Sequence, residues 1–280
     1  MKKKLLLVVA LFVATTMSAQ FYIGAKVGYG LGTQQTAAGQ TVTDDATSNN
    51  WVSLGQGFTP GLKLGYFFND NFGFELGINY FLGAEKTVAD YNYKMDVGGG
   101  LMADVVALGT AQSSQLRLLP ALVYRFDNGF YGRFGLIIPV SGKTIVKTTS
   151  EITVAAFPAA NSKGEEEQEY HGKFAMGFAG AIGYNFALSD NMNLFGELEY
   201  VALSIRGNTA EITKSTTNGT DNLANADVYD YKIEYVDELT KSSNNSDYNA
   251  KYDKTKAKED LRTSNGYSSL RFSVGITMSF

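Results

Sequence analysis

His171 is the chain's single histidine, and it stands in the run EEEQEYHGK with Glu165, Glu166, Glu167 and Glu169 close by. An imidazole beside carboxylates is raw material for general-base or nucleophilic catalysis, provided a fixed hydroxyl or thiol lies within reach. The chain has no cysteine, and its many serines form no sequence-local triad with His171. No phosphate loop, zinc spacing or calcium loop is written in the sequence, so no catalytic residue, cofactor or metal site is expected. A solvated loop histidine beside a charge run is the plainer reading.

A second set of residues able to do chemistry is more ordered. Lys26, Lys63, Glu75, Arg117, Arg125, Arg133, Lys173, Glu197, Glu199 and Arg271 all fall inside segments where apolar and polar residues alternate. Each lies on the parity opposite the apolar set of its own segment. Lys63 and Glu75 are near-diagonal neighbours across one short turn. Glu197 and Glu199 stand on the seventh segment and flank Arg271 on the eighth; a closed sheet would bring Lys26 of the first beside them. Two interior salt-bridge clusters are therefore expected, Lys63 with Glu75, and Glu197 and Glu199 with Arg271 and Lys26.

The elements that must position these charges are eight period-two runs, at 21–32, 57–68, 72–83, 115–126, 130–140, 173–186, 192–203 and 268–280. Period two over ten or more residues is the signal of a strand with two unlike faces. The charged face otherwise carries Gly, Ala, Ser and Asn, which suits a narrow interior. The apolar face is long and ends in aromatics, as a lipid-facing band must. Lys or Arg there would cost roughly 2–4 kcal/mol at mid-bilayer. Only a closed barrel satisfies every strand backbone group in lipid.

Connections at 69–71, 127–129 and about 187–191 are short, whereas the others run about 24, 31, 32 and 64 residues. Three copies of Tyr-x-Phe followed by an Asp-Asn turn mark the short side: Tyr66-x-Phe68 with Asp70-Asn71, Tyr124-x-Phe126 with Asp127-Asn128, and Tyr184-x-Phe186 with Asp190-Asn191. Amphipathic rings favour the membrane interface, and Asx residues favour turns. The apolar stretch VGGGLMADVVALG in 84–114 could plug the mouth or meet a partner. In the large loop 204–267, the alternating patch DVYDYKIEYVDE reads as a strand extension above the membrane, with a ten-stranded barrel as the alternative.

At the N-terminus, Lys2, Lys3 and Lys4 precede the ten-residue apolar run LLLVVALFVA and then Ser18-Ala19. The run is too short to span a bilayer as a helix and fits a signal peptide at 1–19, cleaved near Ala19. Losing those three lysines takes the formal charge from −4 to −7, which argues against nucleic acid as a partner. Without cysteine there is neither a disulfide framework nor a lipidated N-terminal cysteine.

These features resemble the small outer-membrane β-barrel proteins of Gram-negative bacteria, the eight-stranded barrels of outer membrane protein X and outer membrane protein A among them. The resemblance covers 20–280 and rests on the signal peptide, the eight segments, the short and long connections, and the final strand LRFSVGITMSF. It implies an all-β transmembrane antiparallel barrel with short periplasmic turns and long extracellular loops, placed in outer-membrane lipid. It also implies that Phe280, Met278, Ile276, Val274 and Phe272 are read by the barrel-assembly machinery. Barrel enzymes of this kind use a rim histidine, but His171 shares parity with Lys173 and points away from lipid. The expected function is non-enzymatic, with surface loops that bind an extracellular ligand or protein, or that shield the surface. One alternative is a porin-like conduit of weak anion preference, since the inward charges number seven positive and three negative. The other is a rim-located lipid- or peptide-cleaving enzyme.

Overall fold

The computed structural model describes residues 20–280; the expected signal peptide lies outside the described residues. Eight long antiparallel strands close a ring. They are β1 Gln20–Gly32, β2 Gly57–Phe67, β3 Phe72–Gly83, β4 Leu101–Arg125, β5 Phe130–Thr153, β6 Gly177–Ala187, β7 Met192–Ala202 and β8 Ser269–Ser279. Each pairs with its sequence neighbour, and β8 returns to β1 through a register running from Tyr22 opposite Ser279 to Gly32 opposite Ser269. Closure gives each of the eight strands a partner on both sides, as a sheet in lipid requires. Among the described residues no helix is long and apolar enough to cross a membrane.

Alternation translates directly into two faces. Leu62, Ile78, Leu122, Phe134, Ile182, Tyr200 and Phe272 all stand exposed on the outside, while Lys26, Lys63, Glu75, Arg117, Arg133, Glu197, Glu199 and Arg271 are buried inside. At the short-turn end the outward rings form a belt of touching pairs, with Phe21–Tyr66, Phe72–Tyr124 and Phe130–Tyr184 centroids 4.7, 4.7 and 4.8 Å apart. In the first short turn the cap is Asn69, not the expected Asp70: its Oδ1 accepts from the Asn71 and Phe72 backbone N–H groups at 3.0 and 2.8 Å. The second turn uses Gly129 at φ 90°, a conformation that side chains disfavour.

Several expected boundaries move. β4 begins at Leu101 rather than 115, and β5 continues to Thr153 rather than ending near 140. The extension of β4 keeps Met102, Val106 and Leu108 on its outer parity, but Thr110, Gln112 and Ser114 break the apolar row before Leu116, and most of the β5 extension is polar, so an apolar-alternation search stops short of both. The stretch 84–114 is not a plug. Its strand Lys86–Gly98 pairs with the upper part of β4 through a turn at Gly98, Gly99 and Gly100, all at positive φ. β6 starts at Gly177 rather than 173, because residues 138–143 and 171–176 are not paired with each other.

The large loop also builds strands. Ser204–Thr217 pairs with Ser162–Gly172, and Lys232–Val236 joins it next to a single helical turn, α1, at Val228–Tyr231. None of these strands enters the ring, so the ten-stranded alternative is not what the pairings form.

Candidate functional site

The interior is layered. Near the short turns Tyr22, Phe67, Val123, Tyr131 and Phe195 pack as one apolar cluster. Toward the long loops Phe81, Leu119, Ile137, Val201, Leu203, Ile205 and Tyr267 form another. The inward face is thus less uniformly small than its glycines suggested. Aromatic residues on the charged parity, such as Tyr22, Phe81 and Phe195, were the overlooked signal.

Charges lie between the two apolar layers, and the two expected clusters are one network joined by Arg133. Lys63 Nζ lies 3.5 Å from Glu75 Oε2, and Arg133 Nη1 lies 3.3 Å from Glu75 Oε1. Arg133 Nη2 donates to Glu197 Oε1 at 2.6 Å and to Glu199 Oε1 at 2.8 Å, while its Nε donates to Glu197 Oε2 at 3.0 Å. Lys26 Nζ sits 3.2 Å from Glu197, and Arg271 Nη1 donates to Glu199 Oε2 at 2.7 Å. Two tyrosine hydroxyls complete the carboxylates' shells, Tyr22 donating to Glu75 at 2.8 Å and Tyr131 to Glu197 at 3.0 Å. Parity placed these residues inside; the cross-barrel reach of Arg133 depends on shear and side-chain length, which parity does not encode. Two of the ten charges expected inside lie elsewhere. Arg125 is at the short-turn mouth, with its guanidinium over the Phe67 ring at 4.3 Å, and Lys173 is exposed above the barrel.

Above the upper apolar layer lies a cavity of about 730 Å³. Leu54, Val88, Ala111, Ile205, Tyr235 and Tyr267 contribute its apolar lining, and Lys143, His171, Lys173 and Arg206 bring charge or polarity. Pro139, Val140 and Phe174 also line it, so it reaches the interruption between β5 and β6. Two local features produce that interruption. Pro139 has no N–H to give a ladder, and a register shift between Leu116 and Arg117 bulges β5 at Val140. Phe174 is 81% exposed on the outer side of the gap. The cavity therefore has a side opening at the edge of the apolar band. His171 Nε2 lies 3.8 Å from Glu169 Oε2, and Glu169 also holds Lys143 at 2.5 Å. Among the described residues neither Lys173 nor Arg206 forms an ion pair within 4.0 Å. No group of three or more metal-ligating side chains occurs among the described residues.

Residues 5–228 match the family described as the outer membrane protein beta-barrel domain. The chain belongs to that family. This places it in the bacterial outer membrane. The search of curated proteins found no match. Among solved structures, the chain is similar to the outer membrane protein OprG from Pseudomonas aeruginosa at 13% identity and TM-score 0.43, covering 94% of this chain and 96% of that one. It is also similar to Neisserial surface protein A at 11% identity and TM-score 0.31, covering 93% and 97%. The attachment invasion locus protein Ail of Yersinia pestis matches at 11% identity and TM-score 0.30, covering 94% and 97%.

Proposed function

We propose that this barrel is a non-enzymatic binding protein whose extracellular sheet holds a small amphipathic anion. The observation that carries this reading is the cavity above the upper apolar layer, mostly apolar inside and edged by Lys173 and Arg206. An apolar chain would gain by leaving water there, and its anionic head would meet the two cations. The opening beside Phe174 offers a route from the outer leaflet as well as from solvent. The packed layers below weigh against a conduit, since side chains pack across the barrel. The outward row Phe272, Val274, Ile276, Met278 and Phe280 remains the best candidate for recognition by the barrel-assembly machinery, all five side chains being exposed.

Trp51 provides a probe, as the chain's one tryptophan, adjacent to Val52 on the cavity wall. Titrating dodecanoate into the full-length protein in nanodiscs should give a saturable, one-to-one change in its fluorescence. Arg206→Glu should weaken binding severalfold, while dodecanol should bind both proteins equally. Unsaturable partitioning, identical in wild type and Arg206→Glu, would sink the proposal.

A further inference from the structure

The buried charges do not balance. Lys26, Lys63, Arg117, Arg133 and Arg271 face only Glu75, Glu197 and Glu199, an excess of two positive charges among the described buried residues. Every carboxylate oxygen is already engaged by Arg133, Arg271, the two lysines or the two tyrosines. What remains is concentrated in one place. Arg117 is wholly buried; its Nε donates to Gln115 Oε1 at 2.8 Å and its guanidinium lies over the Phe81 ring at 3.9 Å. Its Nη1 and Nη2 have no hydrogen-bond acceptor, and neither do Nε and Nη2 of Arg271. Arg271, a like charge, is close enough to act on Arg117 electrostatically.

The surrounding polar groups are likewise without partners. Asn79 stands directly opposite Arg117 in the β3–β4 register, and its amide nitrogen and oxygen are both buried and unpaired. Thr59 and Ser273 lie in one row on either side of Gly28, and their buried hydroxyls are unpaired too. Glycines make the room: a side chain at Gly61 would lie 2.0 Å from Asn79 Oδ1, and one at Gly28 would lie 2.2 Å from Ser273 Oγ and 3.0 Å from Arg271 Cδ. Leaving two guanidinium groups half-satisfied in a closed interior is costly, and carboxylate acceptors are exhausted.

We propose that a small monovalent anion of halide size is bound inside the barrel between Arg117 and Arg271, with Asn79, Thr59 and Ser273 donating to it. The site would neutralise part of the excess charge and tie β2, β3, β4 and β8 together across the interior. Arg117, Arg271, Asn79, Thr59 and Ser273 do not line the cavity above, although Gln115, the Arg117 partner, does.

Refolding the full chain into detergent in sodium bromide and collecting anomalous diffraction would test this directly. A bromide peak in contact with both guanidinium groups is expected; well-ordered arginines with no anomalous peak between them would overturn the proposal. A solution measurement guards against crystal effects. Protein refolded with chloride should unfold about tenfold more slowly than protein refolded with gluconate at equal ionic strength, the scale of one charged hydrogen bond. Asn79→Asp, which places a fixed carboxylate at the same spot, should remove that chloride dependence while remaining folded by heat-modifiable migration. Retained dependence in a folded Asn79→Asp protein would count against the site, as would its absence in wild type.

Discussion

Two ion pairs show how differently the two halves of the molecule are held. In the barrel, Arg133 Nη2 and Glu197 Oε1 meet at 2.6 Å with side chains 3% and 1% exposed. In the sheet built by the long loops, Lys214 Nζ and Glu165 Oε2 meet at 2.7 Å with side chains 54% and 44% exposed. The geometry is nearly the same and the energetics are not. Water and salt screen the outer pair, so it contributes little to stability. The inner pair has no water to fall back on, and removal of one partner leaves a charge stranded. The barrel is therefore intolerant of single changes, and the sheet built by the long loops is free to vary its polar surface around the cavity.

The largest effect that would sharpen this contrast is expected from Glu197→Ala. It leaves Arg133, Lys26 and the Tyr131 hydroxyl without their main acceptor and should cost about 3–5 kcal/mol. Urea unfolding in detergent micelles would measure it; a loss no greater than that of a surface variant would break the contrast. Next comes the outer face. Ile78→Arg, at the middle of β3 and exposed to lipid, should lose about 2–4 kcal/mol in bilayer refolding titrations. Gly28→Val is expected to be somewhat milder at about 1–3 kcal/mol, because Ser273 and Arg271 must shift to admit the new side chain. Wild-type stability in that variant would mean the interior is looser than described.

The smallest effect belongs to Lys214→Ala. The hydrogen bond from Lys214 holds the Glu165 carboxyl below its ordinary range. A lowered carboxylate pKa stabilises the fold above the ordinary carboxylate value and is lost as pH falls through the lowered one. Thermal unfolding of Lys214→Ala should therefore fall only slightly below wild type at neutral pH and converge with it on the acid limb. A large neutral-pH loss would show that exposed pairs carry more here than screening allows.

Much of the barrel was legible because the membrane imposes a strict rule on strand parity. Leu62 and Lys63 cannot exchange faces without placing a cation in lipid, so alternation alone assigns inside and outside. The short turns were readable for the same reason, although the choice of Asn69 over Asp70 as the cap turns on local backbone angles that composition does not reveal. Parity failed where the chain leaves lipid. Beyond Ser141 in β5 the strand is mostly polar, and its few apolar residues, Ile145, Val146 and Ile152, fall on both parities, so no solvent contrast marks it. The candidate sites were legible only in part. Lys63, Glu75, Glu197, Glu199, Arg271 and Lys26 were marked by type and parity, but their union through Arg133 is a property of barrel shear. The cavity near Phe174 depends on a bulge beside Pro139 and on a missing ladder, and neither is written as a motif.

The central claim is that side chains fill the barrel and that binding belongs to the extracellular end. Planar-bilayer recording of the full-length protein tests it most directly. The account predicts a silent membrane, without discrete steps, at protein levels where folded barrels are shown to be inserted. Reproducible single-channel steps from that preparation would contradict it.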